Sequence, residues 1–481
     1  MLLSELLAGD PVVTGEVDIL GLTADSRAVR PGYLFAALCG GQADGADYVR
    51  DALARGAAAV LADAGRDIAT GDIPLIGAAN PRRRLAQLAA RFHGPQPRVI
   101  AAVTGTSGKT SVADFTRQIW RSCGQRSASL GTLGVVGDGI DARLPHTTPD
   151  PVTLHAALAD IAAAGVDHLA IEASSHGLDQ YRMDAVEVGA AGFTNLSQDH
   201  FDYHPTVDHY LEAKLRLFQV VMAPGGTAVL NVDVPEFARL EQACQTRGHK
   251  IVTYGTGPSD LHLTAIEPGR TITVAVAGES YQVGFTLPGT YQALNALCAA
   301  GLVMASGITL DQALAAIAGL KGVRGRVERV ARHASGAPVY VDYAHKPGAL
   351  KAVLATLRPL ANGRLVVVFG CGGDRDTAKR AIMGRVAASH ADRVFITDDN
   401  PRSENPAAIR RAVLTGCPEA MEIGDRTEAI AAAVAGLEAG DVLVIAGKGH
   451  ESGQIIGDQV IPFDDAQVAR AAITALDGES L

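Results

Sequence analysis

Residues 98–120 read RVIAAVTGTSGKTSVADFTRQIW, and the fold turns on how they are read. The apolar run RVIAAV predicts a buried strand, and the segment after it sets Val112, Phe115 and Ile119 on one face of a helix. Between strand and helix, Gly105 and Gly108 let the backbone approach a phosphate closely, with the amides at the helix start facing the anion. Lys109 can neutralise terminal phosphates, and Thr110 can offer its hydroxyl to magnesium. The full G-x-x-x-x-G-K-[ST] pattern fails at its first glycine, because position 103 is valine. The order strand, GxxGK[ST], amphipathic helix favours phosphate binding over a tight turn carrying an incidental lysine.

The same strand-then-helix rhythm extends outward. DHLAIEA at 167–173, GAAGFTNL at 189–196 and TAVLN at 227–231 are short apolar strands that end in polar residues. Strands of this kind with helices between them predict a mostly parallel sheet covered on both faces. Residues 261–287 alternate more like antiparallel strands, which predicts a mixed sheet. From near Gly325 a second series begins, with APVYVDY, RLVVVFG, RVFITDD and DVLVIAG as strands, and this predicts an independent α/β domain. On the amino-terminal side, a helical pattern is expected over Tyr48–Ala59 and another over PRRRLAQLAARF, before GPQP at 94–97 marks a boundary. Three domains follow, at 1–97, 98–322 and 323–481.

At 481 residues the chain exceeds the size of one ordinary core, by a prior of roughly 150 residues per domain. With 47% apolar residues, 20% charged residues and a net charge of -10, it reads as an ordinary soluble protein and not as a nucleic-acid coat. Six dispersed cysteines without a CxxC pair suit a reducing compartment. MLLSELLAGD lacks the basic start and apolar core of a signal peptide. Tyr291–Leu310 carries no charge, but Gln292, Asn295, Ser306 and Thr309 make it a buried helix and turn in preference to a membrane span.

Several side chains invite chemistry. Glu172 ends the DHLAIE strand at the sheet edge where ligands collect in open α/β folds, so it is either a magnesium ligand or a generic strand-ending acid. His200 in NLSQDHFDYH could ligate a divalent ion, although a single histidine without fixed-spacing partners is weak evidence. Lys214 shares a helix face with Tyr210, Leu217 and Val221, an apolar flank for an ammonium. Either it snorkels to solvent or it is carbamylated to an anionic group. Finally, DDNPRSENP at 398–406 ends a buried strand in acids, a proline and Arg402, whose planar fork suits a carboxylate unless it merely pairs with Asp398 or Glu404.

Taken in order, these motifs resemble the Mur ligase family over nearly the whole chain. The resemblance rests on DSR at 25–27, TGTSGKT at 104–110, TTP at 147–149, EASSHGLDQYR at 172–182, the DH with His200, and Lys214. It continues through Asn295, GRVE at 325–328, DYAH at 342–345, GGDRD at 372–376, DNPR at 399–402 and GKGHE at 447–451. It implies a three-domain α/β architecture with a central P-loop ATPase-like domain and a carboxyl-terminal Rossmann-like domain. It also implies ATP-dependent addition of meso-2,6-diaminopimelate to the D-glutamate of UDP-N-acetylmuramoyl-L-alanyl-D-glutamate through an acyl phosphate. A lysine-adding or folylpolyglutamate ligase is the related alternative, and a nucleotide-regulated binding protein the alternative outside enzymes.

By that resemblance, Gly105, Thr106, Ser107, Gly108, Lys109, Thr110, Ser111, Asn295, Arg326, Asp342 and His345 hold ATP. Ser26, Gln42, Ala43, Thr147, Thr148, Ser174, Gln180 and Arg182 hold the UDP-sugar-peptide. Thr110, Glu172, His200 and Lys214 surround Mg2+, with Lys214 carbamylated, and Lys109, Glu172, His200 and Lys214 form the catalytic group. Arg375, Asp399, Asn400, Pro401, Arg402, Gly447 and Glu451 receive diaminopimelate. A cytoplasmic monomer is expected, without nucleic-acid or membrane partners. Two motifs depart from the family: Ser107 stands where asparagine is common, and DYAHKPGAL has Lys346 and Gly348 where relatives carry threonine and aspartate.

Overall fold

The computed structural model describes residues 1–8, 16–40, 43–197 and 203–479. Contacts divide them into two compact units, one of residues 1–264, 273–283 and 294–319, the other of 265–272, 284–293 and 320–481.

The first unit contains two sheets. The smaller is fully parallel, in the order Gly21–Thr23, Tyr33–Ala36, Ala59–Asp63 and Leu75–Ala78. The expected helix over Tyr48–Ala59 is only Val49–Ala54, because Ala59–Asp63 is a strand. Val60, Leu61 and the alanines beside them are buried in that sheet, so strand pairing overrides alanine's helix propensity. The helix Pro81–His93 forms as its pattern requires, started by the Asn80 side chain, which accepts from Arg83 N, and by proline at its first position.

The larger sheet has eleven strands. Its central run is Lys250–Gly255, Met222–Asn231, Val188–Phe193, Val99–Thr104, His168–Glu172 and Ser127–Gly131, all parallel. Gly134–Gly137 and Ile140–Ala142 then add antiparallel strands at one edge, so the sheet is mixed. The strand Val99–Thr104 is flanked on both sides, which explains why it reads as an uninterrupted apolar run. It feeds the helix Lys109–Ser122, whose Val112, Phe115, Ile119 and Trp120 are fully buried. Burying each such large side chain is worth about 1.5–3 kcal/mol. Trp120 also donates its indole N–H to Ser306 Oγ at 2.9 Å, so its one polar atom is satisfied.

The uncharged stretch from Tyr291 lies largely in the helix Thr290–Met304, of which Ala296, Leu297, Ala299 and Ala300 are fully buried. Among the described residues no helix is long and apolar enough to cross a membrane. All six cysteines are free thiols.

The second unit carries the predicted strand-helix series. Its sheet runs Glu328–Arg332, Pro338–Asp342, Val442–Ala446, Leu365–Phe369, Arg393–Ile396 and Met421–Glu422, parallel except for the first pair. Leu365–Phe369 and Val442–Ala446 are buried throughout, and helices such as Pro347–Leu357 and Arg426–Ala435 pack their apolar faces against the sheet. The loops at the carboxyl ends of these parallel strands include DYAH, DNPR and GKGHE.

Candidate active site

In the first unit the phosphate loop joins Thr104 to the helix at Lys109. Gly105 has φ +144°, and a Cβ there would lie 1.9 Å from Thr194 Oγ1, so only glycine fits. Thr194 and Asn195 cradle the loop from the next strand end: Asn195 Oδ1 accepts from Ser107 N at 3.0 Å, and Thr194 Oγ1 donates to Ser107 O at 2.6 Å. Asparagine at position 195 thus contacts the loop residue that departs from the family. Lys109 Nζ donates to the carbonyls of Gly105 and Thr106 at 2.9 and 3.0 Å, and Asn295 Oδ1 lies against Gly108. Ser111 is buried in the first turn of the helix.

Lys214 shares one of these acceptors. Its ammonium, fully buried, donates to Gly105 O at 2.8 Å and sits 4.3 Å from the centre of the Tyr210 ring. It therefore does not snorkel. The Tyr210 hydroxyl lies 3.2 Å from Thr106 Oγ1, so helix Val207–Arg216 reaches the loop through two side chains.

Glu172 is 2% exposed at the end of its strand and connects the loop to the polar residues beyond it. Thr110 Oγ1 donates to Glu172 Oε2 at 3.0 Å, and Thr132 donates to the same carboxylate from its backbone N–H at 2.7 Å and its hydroxyl at 3.3 Å. Thr148 Oγ1 donates to Glu172 O at 2.8 Å and accepts from Ser174 N at 3.0 Å. Arg182 donates to Thr148 O at 2.7 Å and to Gln180 Oε1 at 2.8 Å, while Gln180 donates to the Tyr203 hydroxyl at 3.2 Å. Thr147 Oγ1 is 3.0 Å from Thr132 Oγ1. Burial holds the Arg182 guanidinium below its usual range.

A buried carboxylate with hydroxyls around it is the hard-oxygen donor set that magnesium prefers, so Glu172 with Thr110 fits that ion. Among the described residues no three His, Cys, Asp or Glu side chains converge as a metal cluster. His200 and Gln42 lie outside the described residues. Ser26 is buried in the short turn Ser26–Ala28 of the small sheet, and Ala43 accepts from Gly40 N, both at a place in the fold separate from this network.

The second unit gathers the remaining candidates. Asp342 accepts from Val327 N at 2.8 Å, and burial pushes its carboxyl up to about 6. Arg326 lies with its guanidinium 4.9 Å from the Tyr343 ring centre. His345 is pulled down to about 4 by burial, and its backbone carbonyl accepts from Lys379 Nζ at 2.8 Å.

Arg402 pairs with neither suspected acid. Asp398 is taken by Arg410, and Glu404 by Arg380 at 2.8 Å. Arg402 instead has left-handed backbone, φ +51°, and donates to Gly373 O at 2.8 Å. Its loop is clamped by Arg402 N donating to Ile455 O and Gly457 N donating to Arg402 O. Pro401 is buried beside it, and Arg375 lies exposed on the neighbouring GGDRD loop. Asp399 is 9% exposed, and its Oδ2 would be 2.7 Å from a Cβ on Gly447, whose φ is +117°. Asn400 donates to Glu451 Oε2 at 2.9 Å. The fully buried Arg426 pairs with Asp465 at 2.7 Å and donates to Ala446 O at 3.0 Å, fixing the strand end that leads into GKGHE.

Thr132, Thr194, Asn195, Tyr210, Lys448 and Arg426 were not among the expected site residues. Lys448 had a sequence signal in its place inside GKGHE, Thr194 and Asn195 in the polar end of GAAGFTNL, and Tyr210 in the helix face it shares with Lys214.

Three family descriptions match the chain: "Mur ligase family, catalytic domain" at residues 18–93, "Mur ligase middle domain" at 103–303, and "Mur ligase, glutamate ligase domain" at 325–449. The UDP-N-acetylmuramoyl-L-alanyl-D-glutamate--2,6-diaminopimelate ligase of Bradyrhizobium diazoefficiens is 50% identical, covering 99% of each chain. The protein of that name from Mesorhizobium japonicum is also 50% identical, covering 98% of each. A solved structure of a ligase with the same name superposes with a TM-score of 0.71 at 34% identity over 95% of both chains. A MurF ligase from Thermotoga maritima in complex with ADP, 17% identical, superposes with a TM-score of 0.62 and shares the fold.

Proposed function

Because this chain belongs to the Mur ligase family, we propose that it is the ATP-dependent ligase that adds 2,6-diaminopimelate to UDP-N-acetylmuramoyl-L-alanyl-D-glutamate in peptidoglycan precursor synthesis. The observation that carries this reading is the single hydrogen-bonded network from Thr110, next to Lys109 in the sequence, through Glu172, to Thr148, Ser174 and Arg182. It sets a phosphate-binding loop beside residues able to hold a carboxylate substrate.

Two anions must meet in the first step. The D-glutamate side-chain carboxylate attacks the terminal phosphorus of ATP, the bond to ADP breaks, and an acyl phosphate forms. Lys109 offsets the repulsion between carboxylate and phosphate, and the loop amides around Gly105 and Gly108 hold the phosphate chain. Arg182, with Thr147, Thr148, Ser174 and Gln180, orients the sugar-peptide so that the carboxylate approaches in line. Ser26, Gln42 and Ala43 hold the uridine end. Magnesium held by Glu172 and Thr110, with His200, supplies further charge neutralisation when bound. Lys214 is carbamylated in the working enzyme, which turns a buried cation into an orienting anion. In the second step the amine of meso-diaminopimelate, having lost a proton, attacks the acyl carbon, and the tetrahedral intermediate expels phosphate. Asn295, Arg326, Asp342 and His345 contact ATP, and Arg402, Arg375, Asp399, Asn400, Pro401, Gly447 and Glu451 hold the amino acid.

The domains are bounded at 1–97, 98–322 and 323–481, and the protein works as a cytoplasmic monomer. The test is to supply purified protein with ATP, magnesium and the UDP-linked dipeptide, with diaminopimelate, lysine, or folate plus glutamate in competition. Diaminopimelate-dependent phosphate release and a product of matching mass are expected; preference for another amine or acceptor overturns the assignment.

A further inference from the structure

Lys448 has no part in the site as described so far, yet it is among the most deeply buried cations of the second unit, at 0% exposure. Its ammonium donates to Asn400 Oδ1 at 2.9 Å and to Glu451 Oε2 at 3.3 Å. Asn400 Oδ1 also accepts from Ile455 N at 2.9 Å, so two donors converge on that one oxygen. A side-chain amide in this position cannot turn over, because its NH2 would then face two donors. The amide nitrogen is thereby committed to the other side, where it donates to Glu451 Oε2. Glu451 in turn receives both Lys448 and Asn400 on a single oxygen, while its side chain remains 33% exposed.

The triad has a direction. A buried ammonium costs several kcal/mol to desolvate unless it is bonded to charged or strongly polar partners. Here those partners are the two side chains that the functional reading assigns to the amino acid. We propose that Lys448 is a positioning residue of the amino-acid site: it locks the amide of Asn400 and anchors one oxygen of Glu451, leaving Glu451 Oε1 and the second amide N–H of Asn400 as a fixed acceptor–donor edge. That edge matches the ammonium and carboxylate of an amino-acid end, here the end of diaminopimelate remote from the new bond. Lysine has no carboxylate at that end and uses only half of the edge. Lys448 therefore acts on selection between the two amines, through Asn400 and Glu451 and without touching the substrate.

This inference rests on the diaminopimelate reading, and the two fail differently. If the wild-type protein does not ligate diaminopimelate, the reading itself falls. If it does, the variants Lys448→Met and Lys448→Gln decide the inference. Lys448→Met is expected to raise the KM for diaminopimelate at least tenfold, with the KM values for ATP and the UDP-dipeptide within about twofold of wild type. The ratio of kcat/KM for diaminopimelate over lysine should fall in the same variant. Lys448→Gln keeps a donor toward Asn400 and should recover part of both losses. An unchanged diaminopimelate KM, an equal rise in all three KM values, or loss of a cooperative melting transition in both variants overturns the proposal in favour of a purely structural lysine.

Discussion

The phosphate loop of the first unit and the DNPR loop of the second are both sharp turns at the carboxyl end of a parallel strand, and they solve the problem in opposite ways. At TGTSGKT the unusual backbone belongs to glycines, with Gly105 at φ +144° and Gly108 at φ +90°, and the groups offered to a ligand are backbone amides. At DNPR the left-handed residue is Arg402 itself, at φ +51°, and the group offered is its side chain. A phosphate chain is bound by many partial charges, so the chain must come close and carry no Cβ. On the proposed reading a carboxylate is selected by one planar fork, and that fork stands on a left-handed residue. Ligands read through main chain demand glycine; ligands read through a side chain tolerate strain in the residue that reads them.

The largest effect is expected where the backbone is the binder. Gly105→Ala would drive a methyl group into Thr194 Oγ1, and ATP-dependent turnover should fall more than about a thousandfold, roughly 4 kcal/mol, in a phosphate-release assay. Wild-type turnover would erase the distinction between the two loops. At DNPR the contrast can be split. Arg402→Ala should raise the diaminopimelate KM by the equivalent of about 2–5 kcal/mol, with ATP affected much less. Arg402→Gly should lose the same binding yet melt higher, since a left-handed non-glycine residue costs about 1 kcal/mol. If the glycine variant melts lower, strain is not what the loop stores.

A smaller effect, confined to the second unit, is read out by pH. His345, with a folded value about 4 against 6.5, binds its proton less readily in the native state, so its contribution to stability is lost as pH falls below 6.5. Asp342 works the other way: its folded value, about 6 against 3.8, makes the native state bind the extra proton between those limits. Stability from Asp342 therefore grows on acidification and offsets the histidine. Asp342→Asn should remove that offset and steepen the fall in unfolding free energy, measured by urea titration, between pH 6.5 and 4, by about 1–2 kcal/mol after allowing for its partial exposure. A slope equal to wild type would deny the offset.

The smallest effect lies at the departing residues Lys346 and Gly348. Lys346 is the N-cap of helix Pro347–Leu357 and its side chain makes no cap hydrogen bond, while a Cβ on Gly348 would meet nothing within 4 Å. Lys346→Thr and Gly348→Ala should each stabilise by about 1 kcal/mol in denaturant unfolding. No gain would mean that this helix start is held from elsewhere.

Legibility followed the reach of each interaction. Strand, turn and helix at 98–120 depend on neighbours in sequence, so the phosphate loop and the face carrying Val112, Phe115 and Ile119 could be read directly. The alanine-rich run after Tyr48 misled, because pairing with Tyr33–Ala36 and Leu75–Ala78 decided Ala59–Asp63. Lys214 was legible as an anomaly, but whether its ammonium escaped to water or stayed inside was not, since its acceptor, Gly105 O, lies 109 residues away.

By itself, then, the sequence determined the parallel α/β plan, the glycine turn and the ordered motifs that mark the family, since each of these is written in local spacing and residue type. Tertiary structure alone decided that Glu172 is held by Thr110 and Thr132, that Arg402 avoids both nearby acids, and that Lys448 bonds to Asn400 and Glu451. Apart from the local Lys448–Glu451 contact, these partnerships span 40 to 62 residues or turn on a competition for acceptors, as when Arg410 and Arg380 claim Asp398 and Glu404. Hydrogen-bond and charge energies fall off within a few ångströms, so only the folded chain sets who is close enough to win.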